Sequence, residues 1–287
     1  MTRRLKALGR LAVFAVLVVG AFPFIGRWLR SAMRGTDETL LYVVRALLQL
    51  AVVLIFAWVA SKLERRPFGE YGMPWRQALR SGFWKGAAAG IISLSLLIFL
   101  LSALGALQLS MAPQRVLVGA AFGIGYSLLF LLLAMREEFL YRGYSLFTLT
   151  EAAGFWPAVA ITTAWFAIGH AGTRGENPIG LASVVLFGLI ACLTLRWTGS
   201  LWMAIGYHAA WDWGQTYFYG VADSGHAPAP GHLLASTIST TAPSWLSGGG
   251  AGPEGSVLCL VVFALVAIAC IRFLGREASR GARAGMW

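Results

Sequence analysis

Long apolar stretches recur along the whole chain and are separated by short segments that carry glycines, prolines or charges. A bilayer hydrocarbon core of about 30 Å requires roughly 20 apolar residues per helix, so stretches of that length are candidate transmembrane helices. The pattern predicts an all-α polytopic membrane protein of about eight transmembrane helices. The candidates cover residues 8–29, 38–61, 82–107, 115–150, 155–170, 178–196, 200–220 and 256–274.

The segments between these stretches predict a single membrane domain over residues 1–287. No repeat of 20 to 50 residues is visible, and no connection is long enough to form a separate soluble domain. The connection over residues 222–255 is rich in Gly, Ser and Pro and contains no Lys or Arg. It is predicted to be a flexible extramembrane loop.

The composition supports the membrane assignment and narrows the choice of partners. Hydrophobic residues make up 58% of the chain and charged residues 12%, and the mean hydropathy is +0.70; soluble domains carry about 25% charged residues. A net charge of +11 can indicate nucleic-acid binding. Here the basic residues cluster between apolar stretches, which indicates contact with the lipid bilayer and no nucleic-acid partner.

The positions of the basic residues also predict the orientation in the membrane. Basic residues concentrate in the connection over residues 62–85 and in the tail, at Arg272, Arg276, Arg280 and Arg283. Both regions, and therefore both termini, are predicted to be cytoplasmic, although a third cluster over residues 27–34 favours the opposite orientation. Because the composition is rich in Gly, Ala and Arg, we expect a bacterial inner membrane.

Ionisable residues inside the apolar stretches are costly and are therefore candidates for function. Residues 136–142, Arg-Glu-Glu-Phe-Leu-Tyr-Arg, form the first such group. On a helix, Glu138 and Arg142 are four residues apart and can pair, whereas Glu137 points about 100° away and is expected to remain free. The alternative interpretation is a juxtamembrane charge cluster at the end of a helix.

Two further groups contain histidines. His170 ends the fifth stretch, where a histidine is also common as an interfacial residue. His208 and Asp212 lie four residues apart in the seventh stretch, and so occupy one helix face in what is predicted to be hydrocarbon. This second pair is the harder one to explain as purely structural.

Turns at two glycines bring the three groups to one depth. Glu137 lies 17 residues before Gly154 and His170 lies 16 residues after it, so antiparallel helices would place both at the same level. A turn near Gly199 starts the next helix on the same side, with His208 roughly 14 Å along it. The sequence therefore predicts one buried polar site.

Carboxylates, histidines and an arginine in an apolar site are suited to activating water for attack on a peptide carbonyl. Glu137 can act as the general base while a histidine orients the water. Glu138 and Arg142 would hold their helix in register. His208 and Asp212 can polarise the developing oxyanion.

The role of a metal is left open by the residues alone. His170, His208 and Glu137 are possible ligands of a catalytic zinc, which takes three protein ligands and a water molecule. They lack any local metal-binding spacing, and water activated by Glu137 without a metal fits the sequence equally well. The cofactor is therefore unknown, and zinc is possible without being required.

The three groups resemble the ordered motifs of the CAAX-protease and bacteriocin-processing family, also called CPBP or Abi. The motifs read Glu137-Glu138-x-x-x-Arg142, Phe166-x-x-x-His170 and His208-x-x-x-Asp212. The resemblance covers residues 115–220, which it implies to be the catalytic core of an eight-helix intramembrane endopeptidase. It further implies that Glu137 and His170 activate water and that His208 and Asp212 form the oxyanion site or complete a metal site.

The same resemblance implies a membrane-associated peptide or protein as substrate, in CAAX-type or bacteriocin-leader-type processing. Prenyl-protease relatives carry Asn at the position of Asp212, so the aspartate favours the bacterial branch. Other intramembrane proteases are excluded by their motifs, because the chain has no HExxH, no GxSG followed by a histidine, and no GxGD.

Two non-catalytic alternatives use the same polar site. One is a membrane binding protein, for example a bacteriocin-immunity protein, and the other is a transporter with an intramembrane proton relay. Arg45, inside the second stretch, is a further costly charge that can either reach the membrane surface or pair with the site. No feature of the sequence indicates an oligomeric state.

Overall fold

A computed structural model of the chain describes residues 3–36, 38–112, 116–173, 175–226 and 230–276. It is predominantly helical, as the sequence predicts, and Arg280 and Arg283 of the basic tail lie outside the described residues. The helices are α1 Arg3–Ala32, α2 Glu38–Glu64, α3 Ser81–Ala103, α4 Val116–Glu138, α5 Ser145–Ala153, α6 Phe155–His170, α7 Pro178–Thr198, α8 Trp202–Trp213, α9 Ser244–Ser247 and α10 Val257–Cys270.

Within the described residues, six helical segments are long and apolar enough to cross a membrane, which is fewer than the eight predicted. The predicted stretch 155–170 forms α6, of 16 residues, which is about 24 Å long and shorter than a hydrocarbon core. The stretch 200–220 forms α8, of 12 residues, which continues into a π-helical turn over Gly214–Tyr219. The six are Arg4–Ala32, Leu40–Glu64, Ser81–Ala103, Val118–Ala153, Pro178–Thr198 and Val257–Gly275.

The longest of these segments, Val118–Ala153, is broken in its middle. A π-helical turn over Phe139–Tyr144 separates α4 from α5, and Gly143 within it has non-helical dihedral angles of φ −81° and ψ −111°. The predicted stretch 115–150, which is too long for a single span, therefore consists of two helices joined by a π-helical turn. The break lies one residue after Arg142, so it sits beside the first motif.

Helices α3 and α8 pack closely, and this contact fixes the helix that carries the third motif. A Cβ atom on Gly86 of α3 would lie 2.0 Å from the backbone oxygen of Met203, so only glycine allows the two backbones to approach. The hydroxyl groups of Ser93 and Tyr207 hydrogen-bond across the same interface at 2.7 Å. Close packing and one polar contact therefore set the position of α8.

The segment over residues 222–255 is folded in its described part, which corrects the prediction of a flexible loop. Strand β2, Leu234–Ile238, pairs antiparallel with β1, Leu107–Met111, so that Leu107 lies opposite Ile238. Farther along, the side chain of Asn177 donates hydrogen bonds to the backbone oxygens of Gly248 and Gly255. Backbone pairing and side-chain bonds to distant residues hold a segment whose composition is typical of loops.

Candidate active site

One cavity of about 360 Å³ is lined by four of the six residues predicted from the motifs: Glu137, His170, His208 and Asp212. Glycines end the preceding elements as the sequence predicts, since Gly154 and Gly199 both adopt positive φ angles between consecutive helices. The chain therefore reverses at the two predicted places. These reversals bring residues of α4, α6 and α8 to one cavity.

Glu138 and Arg142, the other two predicted residues, lie behind the cavity wall. Arg142 Nη1 is 3.1 Å from Glu138 Oε1, and neither side chain is exposed. The Arg142 guanidinium also lies 3.9 Å from the centre of the Phe166 ring, a cation–π contact with the second motif. A Cβ atom on Gly188 would come within 2.9 Å of Arg142 Nη2, so a residue without a side chain makes room for the guanidinium.

Glu138 has a second partner, which the sequence did not predict. Its Oε1 lies 2.9 Å from His208 Nδ1, so the first and third motifs are joined directly. A carboxylate accepts, so Nδ1 of His208 donates and the ring is fixed with Nε2 facing the cavity residues. Nε2 lies 3.5 Å from Asp212 Oδ2 and 3.9 Å from Glu137 Oε2.

Glu137 is not free, contrary to the expectation from helix geometry. Arg136 donates a hydrogen bond from Nη2 to Glu137 Oε1, and its Nη1 donates to Gln49 Oε1 at 2.7 Å. Gln49 belongs to α2 and is buried. The adjacent guanidinium therefore occupies one carboxylate oxygen of Glu137, while the second oxygen faces His208.

His170 is held by its own helix. Its Nδ1 lies 2.8 Å from the backbone oxygen of Phe166, and the two rings are 4.4 Å apart. Because a carbonyl oxygen accepts, Nδ1 donates, and Nε2 of the neutral ring is then an acceptor. The His170 ring therefore lines the cavity in a defined tautomer, with its proton on Nδ1.

The folded segment over residues 222–255 contributes residues that sequence reasoning missed. Glu254 accepts hydrogen bonds from Trp211 Nε1 at 2.8 Å and from the Ser224 hydroxyl at 2.7 Å, which ties this segment to α8. Asp223 also lines the cavity. Its burial raises the pKa of the Asp223 carboxyl well above the usual value, and the nearby charges of Glu254 and Glu137 raise it further.

The possible zinc ligands do not assemble into a metal centre in the described part of the chain. No group of three His, Cys, Asp or Glu residues there has an arrangement able to hold a metal ion. The Nδ1 atoms of both histidines donate elsewhere, which leaves each Nε2 available, as in metal-bound histidines. The described residues therefore contain no preformed zinc site, and the two imidazoles are oriented equally well for a metal or for water.

A comparison with models of known protein families finds one match. Residues 125–214 match the family described as type II CAAX prenyl endopeptidase Rce1-like. All three motifs lie inside the matched segment, and the resemblance inferred from them is confirmed. No curated protein and no solved structure matches the chain.

Proposed function

We propose that this integral membrane protein, whose central segment matches a family of prenyl endopeptidases, hydrolyses a peptide bond within the membrane by means of glutamate-activated water. The observation that carries the proposal is the convergence on one cavity of Glu137, His170, His208 and Asp212. These residues come from three helices, α4, α6 and α8, which are separated along the chain by α5 and α7. They supply a base, an orienting imidazole and donors for an oxyanion, which are the groups that peptide hydrolysis requires.

In the proposed first step, Glu137 removes a proton from water. The 3.9 Å between Glu137 Oε2 and His208 Nε2 exceeds a direct hydrogen bond, and this spacing suits a water molecule bonded to both atoms. His170 Nε2, an acceptor in the neutral ring, can orient the second water proton. The resulting hydroxide attacks the carbonyl carbon of the substrate, and the carbonyl oxygen becomes an oxyanion.

The proposed role of His208 and Asp212 is to stabilise that oxyanion. Protonated His208 donates from both ring nitrogens, and Glu138 holds one of them at 2.9 Å so that the other points into the cavity. Asp212 can donate only when it is protonated. Collapse of the intermediate breaks the C–N bond, and the leaving amine takes the proton that Glu137 removed from water.

The proposed substrate is a membrane-associated protein or peptide, processed in the CAAX or bacteriocin-leader manner. The apolar exterior of the six candidate membrane helices supports a substrate that arrives from the bilayer. A bacterial inner membrane with cytoplasmic termini remains the proposed location, on the basis of composition and basic clusters.

One observation favours a second candidate, a binding protein that does not turn over its ligand. The hydrogen bond from Arg136 occupies one oxygen of Glu137, so only the other oxygen is available to water in the cavity. A peptide can then occupy the cavity without being cleaved. The two candidates differ in turnover, which can be measured directly.

The test is cleavage of a quenched fluorescent peptide library by the purified protein in detergent, with wild type and Glu137→Gln each assayed with and without a strong chelator. We expect cleavage by wild type, unaffected by the chelator, and a loss of about 10²- to 10⁴-fold in the variant. Equal cleavage by the variant would overturn Glu137 as the base. Chelator-sensitive cleavage would overturn the metal-free mechanism, and tight binding without turnover would support the binding protein.

A further inference from the structure

Arg45 is a charge within the candidate membrane span Leu40–Glu64 that has no acidic partner among the described residues. It lines the cavity beside Glu137 and is half-buried. Its guanidinium lies 5.0 Å from the centre of the Tyr42 ring. A cation at this depth is costly when it has no counter-charge.

The arginines nearest the first motif are paired, whereas the half-buried Arg196 of α7 has, within the described residues, only a cation–π contact with Phe155, away from the cavity. Arg136 bonds to Gln49 and Glu137, and Arg142 bonds to Glu138. A guanidinium carries five N–H donors in a planar fork and no acceptor. Arg45 therefore presents donors to the cavity that the described residues leave unused.

The charges around the cavity are unevenly distributed among its walls. Arg45 lies one helical turn before Gln49, which is bonded to Arg136. Because Glu137 neutralises Arg136, the positive charge on this side of the cavity comes from Arg45 of α2. Asp223 and Glu254, from the segment over residues 222–255, provide acidic groups. An anionic group of a bound molecule is attracted to the α2 wall and repelled by the acidic one.

We propose that Arg45 is a specificity-determining residue that binds a carboxylate of the substrate peptide. This inference rests on the proposed peptidase function and deepens it. The planar fork of a guanidinium matches a carboxylate, which it can bind through two parallel hydrogen bonds. The carboxylate can be the C-terminal group of the peptide or an acidic side chain near the cleaved bond.

The test uses the peptide that the wild-type protein cleaves fastest, made as a free acid, as a C-terminal amide, and with each Asp or Glu replaced by its amide. Cleavage is measured for wild type, Arg45→Gln and Arg45→Lys in nanodiscs of zwitterionic lipid and in nanodiscs that also contain anionic lipid. For wild type, we expect one replacement of a carboxylate by its amide to lower kcat/KM by about 10-fold or more, mainly through a higher KM. Arg45→Gln should lose this preference, and Arg45→Lys should keep part of it. The C-terminal and side-chain arms identify which carboxylate is bound.

The matched control is Arg27→Gln, because Arg27 is an exposed arginine of α1 that does not line the cavity. It should keep the wild-type preference. An unchanged preference in Arg45→Gln overturns the proposal, and so does an equal loss of cleavage on the acid and amide peptides. A dependence of Arg45→Gln on anionic lipid, with no dependence on the peptide carboxylate, would assign Arg45 to a lipid phosphate instead.

A second measurement separates this inference from the peptidase proposal. Binding of the acid and amide peptides is compared in Glu137→Gln and in Glu137→Gln with Arg45→Gln, so that no turnover is required. Weaker binding of the acid form only in the double variant supports Arg45 even if wild type proves inactive. Equal binding of both forms by both proteins overturns the role of Arg45. Thermal unfolding of each variant shows whether it is folded.

Discussion

The molecule contains two networks of carboxylates and arginines, and they differ in whether the central carboxylate has both of its oxygens hydrogen-bonded. The first, the site network, joins Glu138 to Arg142 and His208 and adjoins Glu137. The second, the Glu64 network, lies where α1, α2 and α5 meet and consists of Arg10, Glu64, Arg66, Tyr71, Tyr144 and Glu151. No residue of the Glu64 network lines the cavity beside Glu137.

The hydrogen bonding of the two networks explains the difference. Glu64 accepts from Tyr71 at 3.0 Å and from Tyr144 at 2.8 Å, so both of its oxygens are bonded. The Glu64 network leaves one buried nitrogen, Arg10 Nε, without a hydrogen-bond partner in the described structure, whereas the site network leaves Glu138 Oε2 and two nitrogens of Arg142. A carboxylate with both oxygens bonded serves to hold helices together, whereas a carboxylate with an unbonded oxygen beside a cavity is typical of a functional site.

The largest effect is expected from breaking the site network at Arg142. Arg142→Leu leaves Glu138 as a buried charge without its cation, and removal of one partner of such a pair costs about 3–5 kcal/mol. The thermal unfolding temperature of the purified protein should fall accordingly. The unfolding temperature of the double variant Glu138→Leu with Arg142→Leu should fall less, because neither member of the ion pair is left without its partner. An unfolding temperature equal to that of wild type in Arg142→Leu would contradict the pairing.

The dependence of stability on pH tests whether burial and the charges of Glu254 and Glu137 act on the Asp223 carboxyl. Its raised pKa means that the folded protein retains a proton that the unfolded chain releases, since burial, Glu254 and Glu137 all disfavour the charge, while a hydrogen bond from Thr216 opposes them. Its contribution to stability is therefore full below the unfolded pKa and is lost as pH rises through the folded pKa, by at most about 1.4 kcal/mol per pH unit. Asp223→Asn should remove that dependence from the unfolding temperature. The same slope in the variant and wild type would exclude Asp223 as its source.

A smaller effect is expected from Glu64→Gln. The amide oxygen can still accept one tyrosine hydroxyl, but it no longer offers a charge to Arg10, whose Nη1 is 3.5 Å away. Because Arg10 is one-third exposed, the loss should be about 1 kcal/mol, visible as a small fall in unfolding temperature. A fall as large as that of Arg142→Leu would remove the distinction between the two networks.

The sequence predicts those parts of the fold and site that depend on local pattern. Helix positions follow from apolar stretches, and the turns at Gly154 and Gly199 follow from glycines between them. The spacing of Glu138 and Arg142 predicts their pairing. Each of these features is decided by residues a few positions apart.

Features that join distant residues could not be read from the sequence. Arg136 bonds to Gln49 across 87 positions, and the same guanidinium bonds to Glu137, which is therefore not free. Glu254 and Asp223 lie in a segment whose composition is typical of loops. Strand β2 of this segment pairs with β1, and Glu254 bonds to Trp211 of α8. The break at Gly143 and the short α6 and α8 also depend on packing, which apolar composition does not specify.

The most direct test of the account compares kcat/KM for Glu137→Gln and Glu64→Gln on one peptide that wild type cleaves. Both variants replace a glutamate by its isosteric amide, one at the cavity and one in the Glu64 network. The account predicts a loss of about 10²- to 10⁴-fold for Glu137→Gln and a value close to wild type for Glu64→Gln. Equal losses in the two variants, or full activity in Glu137→Gln, would contradict it.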